Sequence, residues 1–226
     1  MITDRQTKIL QEARDFAYAE LKDETSGHDW WHIVRVTNIA VEIAKQERAD
    51  VFICELAALL HDIADGKLNE SEEVGLQKVE QWLQNHQASE AEIAHVLEIV
   101  STMSFKGDHQ QKNISTLEGK IVQDADRLDA IGAIGIARAM AYSGHIGRPI
   151  HDPDLQPREN MTLEEYRTGK SSAIMHFYEK LLKLKDMMNT ETAKRIAEQR
   201  EQYMKNFVTV FLNEWDMADF IEGITF

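Results

Sequence analysis

The stretch VFICELAALL, Val51 to Leu60, is almost wholly apolar and is followed at once by His61 and Asp62. It is too short to span a bilayer and reads as a helix packed on several sides. That places two polar side chains at the end of a buried helix, where neither is cheap to leave unpaired. Adjacent helical residues point about 100° apart, so one partner serving both must sit between them near the helix end. A metal ion meets that condition. The pattern predicts that the helix runs on until Gly66 stops it, with Asp65 and Lys67 flanking the exit.

The rest of the composition narrows the partners. The formal net charge of −14 over 226 residues opposes a nucleic-acid groove and an anionic membrane surface, because both would repel such a field. A small polyanion can bind only through local cations or a metal. The single cysteine, Cys54, falls within the apolar run and has no internal partner, which points to a core position and a reducing compartment. The N-terminal stretch lacks the charged-then-apolar pattern of a signal peptide, so a cytoplasmic protein is expected.

Helical periodicity recurs along the chain. Ile9, Leu10, Ala13, Phe16, Ala17 and Leu21 predict an amphipathic first helix. The turn and cap types Thr25, Ser26, Gly27 and Asp29 precede a second helix over Trp30–Glu47, with Val36, Ala40, Ile43 and Ala44 on one face. His28 and His32 stand four apart beside two tryptophans, a spacing that suits a metal pair but more often a core wedge. Ser71–Asn85 predicts a helix with Val74, Val79, Trp82 and Leu83 inward, and Ala88–Met103 another carrying Ile93, Val96, Leu97 and Val100. The polar string STMSFKGDHQQKN follows, in which Lys106 and Gly107 could meet a phosphate. The run from Lys120 to Ala141 predicts a tightly packed helix containing Gly132 and Gly135, with Asp124, Asp126, Arg127 and Asp129 at its entrance. Acids are favoured near a helix N-terminus, but a cap explains one of them rather than three.

These parts together, His32 at one helix start, His61 and Asp62 at a helix end and a later Asp126, resemble the H…HD…D signature of HD-domain metal-dependent phosphohydrolases. The strings HDWWHIVRV, LAALLHDIADGK, SFKG and QDADRLDAIGAIGIAR resemble the bacterial subgroup that hydrolyses nucleoside triphosphates to monophosphate and pyrophosphate. By that resemblance His32, His61, Asp62 and Asp126 carry over as metal ligands, and Asp124 and Asp129 as helix-start acids or acids behind the ligands. No paired histidines match the sites with two or three metals, and His95 alone lacks a partner, so the expectation is one divalent ion. Two imidazoles and two carboxylates facing an oxygen-rich substrate favour Mn²⁺, with Mg²⁺, Fe²⁺, Ni²⁺ or Zn²⁺ as alternatives.

The remaining phosphates of a triphosphate need cations, and Lys67, Lys106 and Arg127 are nearest the motifs, with Arg35 one turn after His32. Asp65, four residues after His61, would share its face if helical geometry persisted to Gly66. Some single-metal HD phosphohydrolases carry a catalytic acid at the matching place, so Asp65 is the candidate for handling the water or leaving-group proton; the alternative is an ion pair with Lys67.

Beyond Ala141 the string YSGHIGRPIHDPDLQPREN holds every proline in the chain and predicts a loop over about 143–160, either a lid using His145, Arg148 and His151 or a connector. Thr162 and Glu165 form a capping box. Two more helices follow, one over Ser171–Met188 with Ile174, Phe177, Tyr178, Leu181 and Leu182 at helical spacing. The other starts at Thr190 and carries a wide apolar stripe that suits core packing or a homodimer. With no convincing strand, the expected class is all-α: one HD-type helical domain over 1–226, its metal-site core at about 25–145 and additional C-terminal helices at about 162–222. Two other functions share the signature: hydrolysis of a different small phosphorylated metabolite, such as a nucleoside monophosphate or a guanosine alarmone, and nucleotide sensing without turnover.

Overall fold

Side-chain caps set where the helices begin. In this computed structural model, which describes residues 2–24, 29–65, 68–103, 114–158 and 169–218, helix α1 (Asp4–Leu21) opens on a capping box between Thr3 and Gln6. Asp29 accepts from the His32 backbone to start α2 (Trp30–Glu47), and Asp50 accepts from Phe52 and Ile53 to start α3 (Val51–Leu60). Ser71 accepts from Val74 to start α4 (Glu72–Asn85). The order continues with α5 (Glu90–Met103), α6 (Leu117–Asp129), α7 (Gly132–His145), α8 (Ala173–Glu179) and α9 (Glu191–Trp215). No strand occurs among the described residues, so the protein is all-α. Among the described residues no helix is long and apolar enough to cross a membrane.

The described residues fall into two units. The first, residues 1–129 with 189–193, is built around α3, in which Phe52, Ile53, Cys54, Leu56, Ala57, Ala58, Leu59 and Leu60 are all buried. Helix α2 packs most extensively on α3 and α6 and contributes Ile33, Val36, Ala40, Ile43 and Ala44 to that core. Ile9, Leu10, Ala13, Ala17 and Leu21 of α1 add a further wall, and Phe16 stacks on Trp82. Two inward expectations fail: Val74 and Trp31 are exposed, Trp31 to 65%.

Two helix boundaries differ from the periodicity reading, and both matter for the site. The α3 helix ends at Leu60, and His61–Ala64 forms a 3₁₀ turn that leaves Asp65 in extended backbone. Helix α4 lies directly on this turn: a Cβ at Gly75 would meet the Ala64 backbone at 2.6 Å, so only glycine permits the approach. The other boundary splits the predicted helix over Lys120–Ala141 at Ala130–Ile131. Gly132 adopts φ +76°, a left-handed conformation that breaks the helix, and its own Cβ position is crowded by the Arg200 side chain. The acidic group therefore lies on the C-terminal half of α6 rather than at a helix entrance.

The second unit comprises residues 130–188 and 194–226. Its core includes Phe177, stacked on Phe207, with Ile174, Met175 and Leu181. The predicted helix over Ser171–Met188 is two pieces, α8 and a 3₁₀ segment Leu181–Met187, and Tyr178 is exposed. The described part of the loop is anchored: Ala173 and Ile174 donate backbone bonds to Pro149 and Ile150, and Arg158 grips buried Glu179 through Nε at 2.7 Å and Nη2 at 3.1 Å. Burial alone would raise the Glu179 carboxyl, but Arg158 and Ser171 hold it below its ordinary value. The His151 ring packs edge-on against Phe211 and Trp215. The capping box at Thr162 and Glu165 lies outside the described residues.

Candidate metal centre

The site sits in the first unit, where the start of α2, the turn after α3 and the end of α6 meet. His32 is buried in the first turn of α2, its backbone held by Asp29 at 2.8 Å. His61 and Asp62 are buried in the 3₁₀ turn. Asp126 on α6 is the most accessible of the four, with 38% of its side chain exposed.

Hydrogen bonding on the far side of each ring decides what it presents to the centre. His61 Nδ1 lies 2.7 Å from the Ala58 carbonyl oxygen, which can only accept, so Nδ1 carries the proton and Nε2 carries the lone pair. His61 Nε2 is buried with no hydrogen-bond partner among the described residues. The two rings stand edge to face with centroids 5.5 Å apart. Asp62 lies between them, Oδ1 3.4 Å from His61 Nε2 and Oδ2 3.4 Å from His32 Nε2. Asp126 Oδ1 is also 3.4 Å from His32 Nε2. One donor atom each from His32, His61 and Asp126 lies within 4.8 Å of the others. Lone pairs and carboxylate oxygens gathered this closely repel one another unless a cation lies among them. The donor set, imidazole nitrogen with carboxylate oxygen, suits a divalent ion.

The neighbouring acids have other engagements. Asp124 is fully buried and faces the start of α9, where Asn189 N, Asn189 Nδ2, Thr190 N and Thr190 Oγ1 each donate to it at 2.8 Å. Burial raises its carboxyl above the ordinary value, and those four bonds pull the other way. Asp129 Oδ2 lies 2.7 Å from His32 Nδ1, and Arg35 donates to both Asp129 oxygens, Nε to Oδ1 at 2.6 Å and Nη2 to Oδ2 at 3.0 Å. Of the two roles the resemblance implied for Asp129, a helix-start acid or an acid behind the ligands, its contact with the His32 ring is the second. Its signal was the spacing, since Arg35 lies one turn beyond His32 and Asp129 one turn beyond Asp126.

The other sequence candidates divide. Arg127 follows Asp126 and is half-buried; burial pushes its guanidinium below the ordinary value, while Asp124 and Asp126 push it up. Lys67, Lys106 and His28 lie outside the described residues. Asp65 accepts at its backbone oxygen from Asn69 Nδ2 at 2.9 Å, and the same-face relation to His61 does not hold because the α-helix ends before both residues. His95 Nε2 lies 3.5 Å from Glu118, away from the centre.

An all-α unit that brings His32, His61, Asp62 and Asp126 together from three separate segments presents a candidate metal site. The chain belongs to the HD superfamily: the HD domain family matches residues 30–131, a span that contains His32, His61, Asp62 and Asp126. It is 40% identical to the uncharacterized protein YpgQ of Bacillus subtilis over 205 residues, 90% of this chain and 92% of YpgQ. A crystal structure described as an HD-superfamily hydrolase from Bacillus thuringiensis is 46% identical, with a TM-score of 0.77, covering 93% of this chain and 98% of that one. The crystal structure of Bacillus subtilis YpgQ in complex with ADP superposes with a TM-score of 0.75 at 37% identity, covering 93% and 96% of the two chains.

Proposed function

We propose that this protein is a metal-dependent phosphohydrolase that cuts nucleoside (deoxy)triphosphates between the α and β phosphates, giving monophosphate and pyrophosphate. The observation that carries the reading is the convergence of His32, His61 and Asp126 donor atoms within 4.8 Å. Asp62, between the two imidazoles, completes the ligand set. The ADP held by the crystallised YpgQ supports a nucleotide as the ligand. His32, His61, Asp62 and Asp126 would hold a divalent ion, Mn²⁺ by preference, which would supply Lewis acidity toward a phosphoryl oxygen and activation of water near neutral pH.

The chain's own groups do the rest. His61 and His32 form the buried side of the centre, and Asp126, the most accessible of the four residues, stands on the side from which a phosphate would approach. Arg127, beside Asp126, offers positive charge to the phosphate chain, with Lys67 and Lys106 as further candidates for the same task. Asp65, just beyond the turn that carries His61 and Asp62, is the chain's candidate for taking the proton of the attacking water as the water oxygen bonds to the α phosphorus and the bridging P–O bond breaks to release pyrophosphate, or for protonating that leaving oxygen. Such assistance is worth on the order of 10²–10⁴ in rate.

Phosphorus NMR of the purified protein with Mn²⁺ and a panel of triphosphates tests the reading. Monophosphate and pyrophosphate as first products are expected. Orthophosphate with diphosphate from the outset would refute the cleavage site, turnover only of another phosphorylated metabolite would replace the substrate, and nucleotide binding without turnover would make the protein a sensor.

A further inference from the structure

The two histidines of the centre are oriented by different means. His61 is held by the carbonyl of Ala58, three residues back in its own chain, so its ring orientation comes with the helix end. His32 has its Nδ1 on Asp129, 97 residues away, and Asp129 is in turn gripped at both oxygens by Arg35. Asp129 is 1% exposed and sits in the last turn of α6, where the helix dipole disfavours an acid. The Arg35 guanidinium offsets both costs, and Asp129 raises the guanidinium pKa in return, as expected of a committed fork-to-carboxylate pair.

We propose that Asp129 and Arg35 are a positioning pair that fixes the His32 tautomer and thereby sets how tightly the centre holds its divalent ion. The proposal rests on the metal reading above. A carboxylate receiving two bonds from Arg35 acts toward the ring as an acceptor, so the proton resides on Nδ1 and the lone pair on Nε2, the atom 3.4 Å from Asp62 and Asp126. Arg35 accordingly works through Asp129 on the ligand, in place of the substrate contact that its spacing from His32 suggested. Because the Ala58 carbonyl does the same for His61, both Nε2 lone pairs point at the carboxylates.

Titration calorimetry of metal-free protein with Mn²⁺ provides the first test. Asp129→Ala is expected to weaken binding about 10–100-fold, the usual effect of losing a partner behind a ligand. Arg35→Gln is expected to weaken it less, and the double variant no more than Asp129→Ala alone, since Arg35 acts only through that carboxylate. An unchanged dissociation constant in folded Asp129→Ala, or additive losses in the double variant, would overturn the pairing. The second test needs no variant: ¹⁵N NMR of the imidazoles in metal-free wild type should show His32 protonated at Nδ1. A neutral His32 ring protonated at Nε2 instead of Nδ1 overturns the proposal even if the metal site is real. Wild type that takes up no divalent ion while His32 carries its proton on Nδ1 overturns the metal reading and this proposal with it, through a result distinct from either failure of the pair.

Discussion

Asp124 and Asp126 stand two residues apart on α6, yet they meet opposite surroundings. Asp124 is buried among four neutral donors from Asn189 and Thr190, and these four hydrogen bonds lock the start of α9. Asp126 faces His32 Nε2 across 3.4 Å and keeps more than a third of its side chain exposed. A carboxylate whose lone pairs are met by protein donors is part of the scaffold. One that faces another acceptor calls for a cation. Helix geometry alone separates the two, since positions two apart point to different sides.

The largest effect expected from this contrast is at Asp126. Asp126→Ala should strip the divalent ion from the purified protein and lower turnover by more than the roughly 10–100-fold that losing a supporting partner costs. Full metal content and activity in that variant would erase the distinction between the two acids. Asp65→Asn comes next: a loss of at least about tenfold in turnover is expected, with metal content and melting temperature near wild type. Unchanged turnover there would leave proton transfer to other groups.

Asp124→Ala should behave in the opposite way. It strands the Asn189 and Thr190 donors, so a destabilisation of about 2–4 kcal/mol is expected in denaturant titrations, with the Mn²⁺ dissociation constant of the folded fraction unchanged. The smallest effect concerns a partly buried acid on α5. Arg5 pairs with Glu92 at 2.6 Å and, as the largest cause, lowers its carboxyl to about 2, with Ser89 and Gln6 helping. The folded pKa lies below the unfolded one, so this stabilisation is present above the ordinary carboxylate range and fades as pH falls toward about 2. Arg5→Ala should flatten part of the acid limb in a melting-temperature profile between those limits, and a profile identical to wild type would remove Glu92 from the account.

The sequence was most informative where the determinants are local. Asp29, read as a cap type, caps α2, the helix expected from Ser71 starts behind that residue, and the apolar spacing of α1 and α2 matches their buried faces. Local pattern misjudged the ends of helices. Nothing in VFICELAALLHDIADGK announces that the backbone tightens to 3₁₀ at His61, because α4 pressing Gly75 on Ala64 is a contact from another element. Gly132 was read as a packing residue within a helix, whereas its positive φ ends one helix and begins another.

The resemblance to HD phosphohydrolases implied His32, His61, Asp62 and Asp126 as ligands, and the structure brings donor atoms of His32, His61 and Asp126 within 4.8 Å of one another, with Asp62 3.4 Å from both imidazoles. Residue type alone leaves Asp124, Asp126 and Asp129 equivalent in the string QDADRLD; the resemblance singled out Asp126, and what each acid meets is decided by partners on α2, on the turn after α3 and at the start of α9. Those partners are as much as 97 residues distant in the chain. The energy of a buried carboxylate depends on which donors or acceptors fold against it, and sequence spacing carries no record of those groups until the helices have packed.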